Sequence, residues 1–448
     1  VSRAIALTGP AVAIESGDTL TAMSELRRGD LLPRVVVRPP GPRARALARR
    51  LRRFEAPGIN TWVDGEAGVP WLAARGANVI DVDGNRYLDL TSGFGAAAVG
   101  HRHPRVVAAV RRQAAELLHG LGDVAGHPGR AALAERLARL APFADAQVYF
   151  AVSGADAVEI ALKSALLATG RPGIVAFAGG YHGLTLGALA ATSRLAFRRP
   201  FAAHLHRHVR RLPFGCPPER VAALLGGAGA LLVEPILGRE GVVLPPPGWL
   251  PELERLCRRA GTLLVADEVF TGGGRTGWFF ALAAERVVPD LVCCGKALGG
   301  GLPIGAVLGR REVLRAWETG GEALHTGTFV AHPLACAAAL AVLEVLRRER
   351  LVERARRLGE ETLAALRARL GGEPGVVAVR GRGLLFGVEL DSPRRARSVI
   401  RGARERGLLL LGAGPRGSVL ELVPPLTIGR RQLAVAVDIL AEALACSR

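Results

Sequence analysis

Two hydrophobic patterns alternate between about residues 104 and 330. Runs at 147–152, 173–178, 230–234, 262–267 and 291–295 are short, nearly continuous in apolar and often β-branched residues, and lack the three-to-four spacing of a helix. The stretches between them carry that spacing. This predicts a largely parallel sheet with helices on both faces, because strands buried on both sides cannot alternate with polar residues. Ahead of this region, residues 33–56 are rich in Pro and Arg and turn amphipathic at 46–54, which predicts one helix. Residues 78–90 read as strand, Asp83-Gly84 turn and strand, the pattern of a hairpin.

Beyond about 333, helical stretches at 334–349 and 351–370 lead into strand-like 376–380, 384–390, 408–411 and 420–423, a smaller α/β unit. The predicted division is an N-terminal extension over 1–33, a segment over 34–95 that packs with the small domain, a large domain over 96–333 and a C-terminal small domain over 334–448. The single methionine, Met23, suggests that residues 1–22 precede the true start. No internal repeat or low-complexity tract interrupts the pattern, and no apolar run has the length of a bilayer span.

Composition alters this picture in one respect. Lys and Arg together number 59, giving a formal charge of +19, yet only Lys163 and Lys296 are lysines. The arginines are spread along the chain, and with five Trp and three Tyr there is no basic-aromatic pattern for stacking bases, so nucleic acid is not an expected partner. The six cysteines have neither CxxC nor other metal-ligand spacing. They read as reduced core residues of a cytoplasmic protein, and no metal site is expected.

Arginine can replace lysine as a surface charge but cannot form a Schiff base, so each surviving lysine needs a reason. Lys163 lies within a helical stretch and reads as a helix-surface residue. Lys296 closes the apolar run 291–295, where a covalent cofactor anchor is the sharper reading. Asp267 ends the preceding run, and ligands of open α/β sheets sit beyond strand carboxyl ends. A carboxylate there either holds a pyridinium nitrogen protonated or caps the following loop. Ser153 opens a helix after the run 147–152, as a phosphate-binding turn or a plain N-cap. In Gly180-Tyr181-His182-Gly183, Tyr181 could stack on a planar ring. There is no P-loop or dinucleotide fingerprint.

Eight stretches, in order, are more specific: SGADAVEIALK, YHGLTLGALAAT, EPILGREGVVLPPPGWL, LLVADEVFTGGGRTG, GKALGGGLPIGAVLG, HTGTFVAHPLACAAALAVL, RGRGLLFGVEL and VPPLTI. Over roughly residues 34 to 440 the chain resembles the class III (ornithine/4-aminobutyrate type) aminotransferases, pyridoxal-phosphate enzymes of fold type I. The resemblance implies a homodimer or larger assembly with shared sites, acting on an amino acid or amine and an oxo acid. It implies that Lys296 carries the cofactor as a Schiff base and moves the substrate proton, and that Asp267 pairs with the pyridine nitrogen. It places Tyr181 and Val269 on the two ring faces, with His182 among the cofactor contacts, and Ser153, Gly154 and Ala155 around the phosphate. Thr328 would reach the neighbouring subunit's phosphate, and Phe94 would line the substrate pocket.

Three departures concern substrate. Where glutamate-using members carry an arginine before Pro-Pro-Leu, this chain has Glu421. Where they carry the glutamate that neutralises it, this chain has Arg239, or Glu240 if the match slips by one residue. An Arg239–Glu421 ion pair of reversed polarity is expected. Leu184 replaces the arginine that 4-aminobutyrate-type members use for the substrate carboxylate, so the pocket should favour neither 4-aminobutyrate nor glutamate in the usual pose. An amino-acid racemase or epimerase, with Glu240 as second proton donor, is the alternative to an aminotransferase.

Overall fold

The structure is a computed structural model that describes residues 26, 28–61, 68–318 and 320–447. The proposed start at Met23 lies outside the described residues. Seven strands form the central sheet, in the order Ala146–Ala151, Gly305–Arg310, Leu291–Cys294, Leu263–Asp267, Ala228–Val233, Gly173–Phe177 and Val209–Leu212. Only Gly305–Arg310 runs against its neighbours; the other paired strands are parallel. The predicted mostly parallel α/β sheet is present. The strands Val209–Leu212 and Gly305–Arg310 were not among those singled out from the pattern.

Strand alternation sorts the core into two layers. Ala230, Leu232, Val265, Leu291 and Cys293 face one way, onto Ala157, Val158, Ile160 and Ala161 of helix Gly154–Thr169. Leu231, Val233, Leu264, Ala266, Val292 and Cys294 face the other, onto Leu250, Leu253 and Cys257 of helix Trp249–Ala260. The adjacent cysteines thus enter opposite layers, and all six cysteines are free; five are buried as expected, whereas Cys446, just past the last helix, is exposed rather than a core residue. Each fully buried Val or Leu contributes about 1.5–3 kcal/mol of transfer free energy, which is why these strands tolerate no polar face. In the three central strands, Ala228–Val233, Leu263–Asp267 and Leu291–Cys294, charged side chains appear only at or just past the strand ends, at Glu234, Asp267 and Lys296.

The N-terminal hairpin forms as expected, Asn78–Asp81 pairing with Arg86–Asp89. Helix Pro42–Phe54 starts earlier than its amphipathic stretch, because Pro42 needs no hydrogen-bond acceptor in the first turn. The run at 408–411 is not one strand. Leu408–Leu409 extends the hairpin sheet in parallel with Arg86–Asp89, whereas Leu411–Ala413 joins an antiparallel sheet with Val419–Leu422, Phe386–Leu390 and Val376–Gly381. Its apolar residues serve two sheets in succession, a division that apolarity alone does not mark. Among the described residues, no helix is long and apolar enough to cross a membrane.

The loop after Asp267 is anchored to the small sheet by glycines. A Cβ on Gly383 would lie 2.6 Å from the Arg275 carbonyl and 2.7 Å from Gly277 N, and one on Gly359 would collide with the Gly383 backbone. Gly359→Ala is therefore expected to destabilise the protein by about 1–3 kcal/mol through forced backbone movement. Gly372→Ala, with nothing within 4 Å of its Cβ, is the control and should differ little. Urea denaturation of both variants checks this.

Candidate active site

Lys296 follows the strand Leu291–Cys294 directly, at the head of the short 3-10 turn Lys296–Gly299, and has a left-handed φ of 38°. A non-glycine residue in that region stores strain, and such outliers concentrate where a side chain must be aimed. The amine lies over the Phe270 ring, 4.8 Å from its centroid. Burial lowers its pKa, against the opposing pull of Asp267, Glu234 and Glu421; Arg239 lowers it further. A larger share of neutral, nucleophilic amine near neutral pH is the consequence.

Asp267 ends the neighbouring strand and follows the Val265 face toward helix Gly154–Thr169. Its Oδ2 lies 2.8 Å from Nδ1 of the buried His182, and its Oδ1 accepts from Val269 N at 3.1 Å. Glu234, one residue past the strand Ala228–Val233, accepts from Tyr181 N at 2.7 Å and from Gly238 N at 3.3 Å. It thereby fixes the turn that carries Tyr181 and His182. Burial pushes the Glu234 carboxyl upward, Asp267 adds to the rise, and His182 opposes it. Glu268, on the opposite face, is pushed up to about 7 by burial and held by Thr271 and Leu282 N.

The start of helix Gly154–Thr169 opens onto the same cavity. Ser153 caps helix Gly154–Thr169, its Oγ accepting from Asp156 N at 3.1 Å. A Cβ on Gly154 would lie 2.6 Å from Val269 Cγ1, and one on Gly183 2.5 Å from Ala155 Cβ. These glycines admit the helix start and the strand end to close approach, leaving backbone N–H groups facing the space. The cavity, about 320 Å³, is lined by Ser153, Gly154, Ala155, Tyr181, His182, Gly183, Leu184, Glu234, Arg239, Asp267, Val269, Phe270 and Lys296.

Ten of the residues singled out from the sequence therefore meet in one cavity. Phe94 is 61% exposed on a neighbouring loop whose Gly95 packs against Phe270 and Lys296 Cδ. Thr328 is exposed and does not line the cavity in this single chain. Glu240 is half-buried outside the lining, 3.9 Å from Arg194. The expected Arg239–Glu421 ion pair is absent among the described residues. Arg239 instead lies over the Tyr181 ring, 5.5 Å from its centroid, because an aromatic face already occupies the space beside the guanidinium. Glu421, paired in its strand with Gly387 and Leu411, is buried and its Oε1 has no hydrogen-bond partner. Burial pushes its carboxyl up to about 7, although Arg239, Lys296 and Arg275 pull it down. Glu234 and Phe270 were not singled out; Glu234 was legible only as the polar end of an apolar run.

A strand-end lysine and carboxylate facing a glycine-bearing helix start across one cavity, on a mostly parallel sheet, define a candidate enzyme site. Residues 65–444 match the class-III aminotransferase family, and the chain belongs to it. It is 42% identical to the acetylornithine aminotransferase of Methanopyrus kandleri over 85% of this chain and 95% of that one. The ornithine aminotransferase of Toxoplasma gondii, whose structure has partial occupancy of pyridoxal phosphate, superposes with a TM-score of 0.82 at 31% identity, over 90% of this chain and 94% of that one. An amine transaminase from an uncultivated Pseudomonas species, solved with that cofactor bound, gives 0.80 at 30% identity, over 88% and 99%. The protein is a pyridoxal-phosphate-dependent aminotransferase of fold type I.

The residues present fit that cofactor: a primary amine with lowered pKa, a buried carboxylate anchored by His182, and a helix start where Gly154 and Gly183 carry no Cβ to fill the gap. Gly154→Val would drive its methyls into Val269. It is expected to weaken pyridoxal 5'-phosphate retention at least tenfold without unfolding the protein, as judged by equilibrium dialysis and circular dichroism. Asp267→Asn should still load cofactor but lose on the order of 10²–10³ in kcat, the scale of removing one preorganised electrostatic contact.

Proposed function

We propose that Lys296 is the amine that holds the cofactor covalently and moves the proton at the reacting carbon of the substrate. The observation that carries this reading is its buried amine, whose pKa burial lowers, at the strand end beside Asp267. When bound, pyridoxal 5'-phosphate supplies an aldehyde for condensation with amines and a ring that draws electrons from the bond being broken. Asp267 keeps negative charge where a ring nitrogen needs its proton, and His182 fixes that carboxylate. Ser153, Gly154 and Ala155 take the phosphate, and Tyr181 and Val269 confine the ring from either side.

The donor we infer is an amino acid or amine with one carboxylate and an uncharged body, of which an acylated diamino acid of the acetylornithine kind is an example. Arg239 faces the cavity with no carboxylate partner among the described residues, and Leu184 and Phe94 offer apolar surface. Glu421, ionised above about 7, sets a negative charge near Lys296 that disfavours a second carboxylate. The racemase reading draws no comparable support, since Glu240 lies outside the cavity lining.

The working unit is a homodimer in the cytoplasm, with the partner subunit's Thr328 completing the phosphate site. Leu118, Leu121, Val124 and Phe329 are each at least 60% exposed, and Gly122 lies against Gly327 and Thr328, so the apolar face and the threonine belong to one surface. Grouped exposure of this kind marks a surface that a second chain covers.

With amino acid and no oxo acid, the enzyme should stop after one equivalent per site, and Lys296→Ala should be inactive; continued production of the opposite enantiomer would instead identify a racemase. Because Glu421 loses its charge as pH falls through about 7, kcat/KM for glutamate should drop above that pH and hold below it. Glu421→Gln should remove this pH limb and lower KM for glutamate on the order of fivefold, the scale of a screened charge contact of about 1 kcal/mol. Glu421→Arg should raise glutamate turnover further; unchanged turnover would refute the exchanged-charge reading.

A further inference from the structure

Lys163, the second lysine of a chain that otherwise uses arginine, has a specific partner. Its Nζ lies 2.9 Å from His325 Nδ1, and the other ring nitrogen, Nε2, lies 2.8 Å from Asp156 Oδ1. Asp156 and Lys163 are seven residues apart on helix Gly154–Thr169, so they share a face across two turns. Asp156 also belongs to the phosphate cradle: its Oδ2 accepts from Val152 N at 2.8 Å and its N–H donates to Ser153 Oγ. The His325 carbonyl accepts from Tyr149 OH at 2.6 Å, and Trp317, tilted by 50° against the Tyr149 ring, donates to Ser164 Oγ at 2.9 Å. Three residues beyond His325 the same segment reaches Thr328.

An ammonium only donates, so the ring nitrogen that meets Lys163 must accept, and the opposite N–H then donates to Asp156. That arrangement exists only for the neutral imidazole. Protonation would put an N–H on Nδ1, facing three N–H bonds of like charge. A guanidinium keeps the charge but replaces a compact donor with a longer planar fork, which explains a lysine here in so arginine-rich a chain. The titratable groups around His325 are Asp156 and Lys163 on the helix and Tyr149 on the strand, with Asp123 acting on the Tyr149 hydroxyl. Burial, with Asp156 and Asp123, raises the Tyr149 pKa, so its hydroxyl stays a donor throughout the neutral range.

We propose that Lys163 and His325 are positioning residues of a clamp that ties the segment 320–328 to the first turn of the phosphate-binding helix. The clamp sets how firmly the cofactor phosphate is kept. This rests on the assignment of Ser153, Gly154 and Ala155 to that phosphate.

The test measures pyridoxal 5'-phosphate dissociation by equilibrium dialysis at pH 8, on the full-length enzyme and on Lys163→Met, Lys163→Arg and His325→Asn. Hydrogen exchange of segment 320–328 is followed in parallel. At pH 8 all three variants should hold cofactor about five- to tenfold more weakly, the scale of one charge-assisted hydrogen bond. Their segment should exchange faster, and kcat at saturating cofactor should stay within about twofold, since no catalytic contact is removed. Parent-like affinity and exchange in Lys163→Met or Lys163→Arg would overturn the clamp. Ser153→Ala and Lys296→Ala separate this from the underlying site: if neither alters cofactor binding, the phosphate assignment itself fails.

Discussion

Burying several carboxylates beside one another is the constraint around which this site is organised. Asp267, Glu234, Glu268 and Glu421 are all nearly inaccessible to water. Burial works against the charge of Glu234, Glu268 and Glu421, because the interior cannot replace the hydration of a carboxylate. Asp267 is the one that contacts an imidazole, that of His182, while Glu234 is bound by backbone N–H groups and Glu421 is left with an orphan oxygen. The neighbouring cations are few: Lys296, Arg239 and the fully buried Arg275. Negative potential is thereby concentrated at the end of two adjacent strands. A lysine placed there is subject to two opposed influences, burial favouring the free amine and the carboxylates favouring the ammonium. The result is an amine whose pKa is lowered rather than raised. Small changes among these neighbours should therefore be felt at Nζ.

The same sheet that creates the constraint supplies its solution. Parallel strands with both faces covered leave only their ends for polar chemistry, and the loops there are held close by glycines. Gly154 and Gly183 matter because a Cβ would occupy the gap between helix start and strand end. The loop after Asp267 matters because Gly383 admits it against the small sheet. Packing at a distance of a few residues thus determines where the amine and carboxylate stand, which is why the site tolerates so little volume change around it.

Much of this was legible in the residues. A lone useful lysine after an apolar run, an aspartate ending the preceding run and a serine at a helix start are local patterns, and strand alternation carries them to a common edge. What the sequence could not convey are relations set by tertiary contact. The segment 408–411 reads as one strand because apolarity does not say which sheet receives each residue. Arg239 and Glu421 were expected to pair because their charges are exchanged relative to the family, yet an aromatic ring beside Arg239 decides otherwise. Glu234 was quoted as part of a motif but not as the residue that fixes the Tyr181 turn. Lys163 read as an ordinary helix-surface residue: it is exposed, as that reading requires, but its histidine partner comes from far along the chain.

The two lysines have different reasons for surviving in an arginine-rich background, and the difference is chemical. At 296 the requirement is nucleophilicity, which a guanidinium lacks at any pH the protein meets. At 163 the requirement is shape, a compact donor aimed at one ring nitrogen, with charge as a secondary matter. Many arginines of the chain bond backbone carbonyls or carboxylates, as Arg275 does with Leu384 and Pro424 and Arg380 with Glu389. Those acceptors present several lone pairs to a planar fork. A single imidazole nitrogen does not. A compositional drift from lysine to arginine is therefore stopped by two separate physical conditions, and each exception marks a place where the cation does something more specific than carry charge.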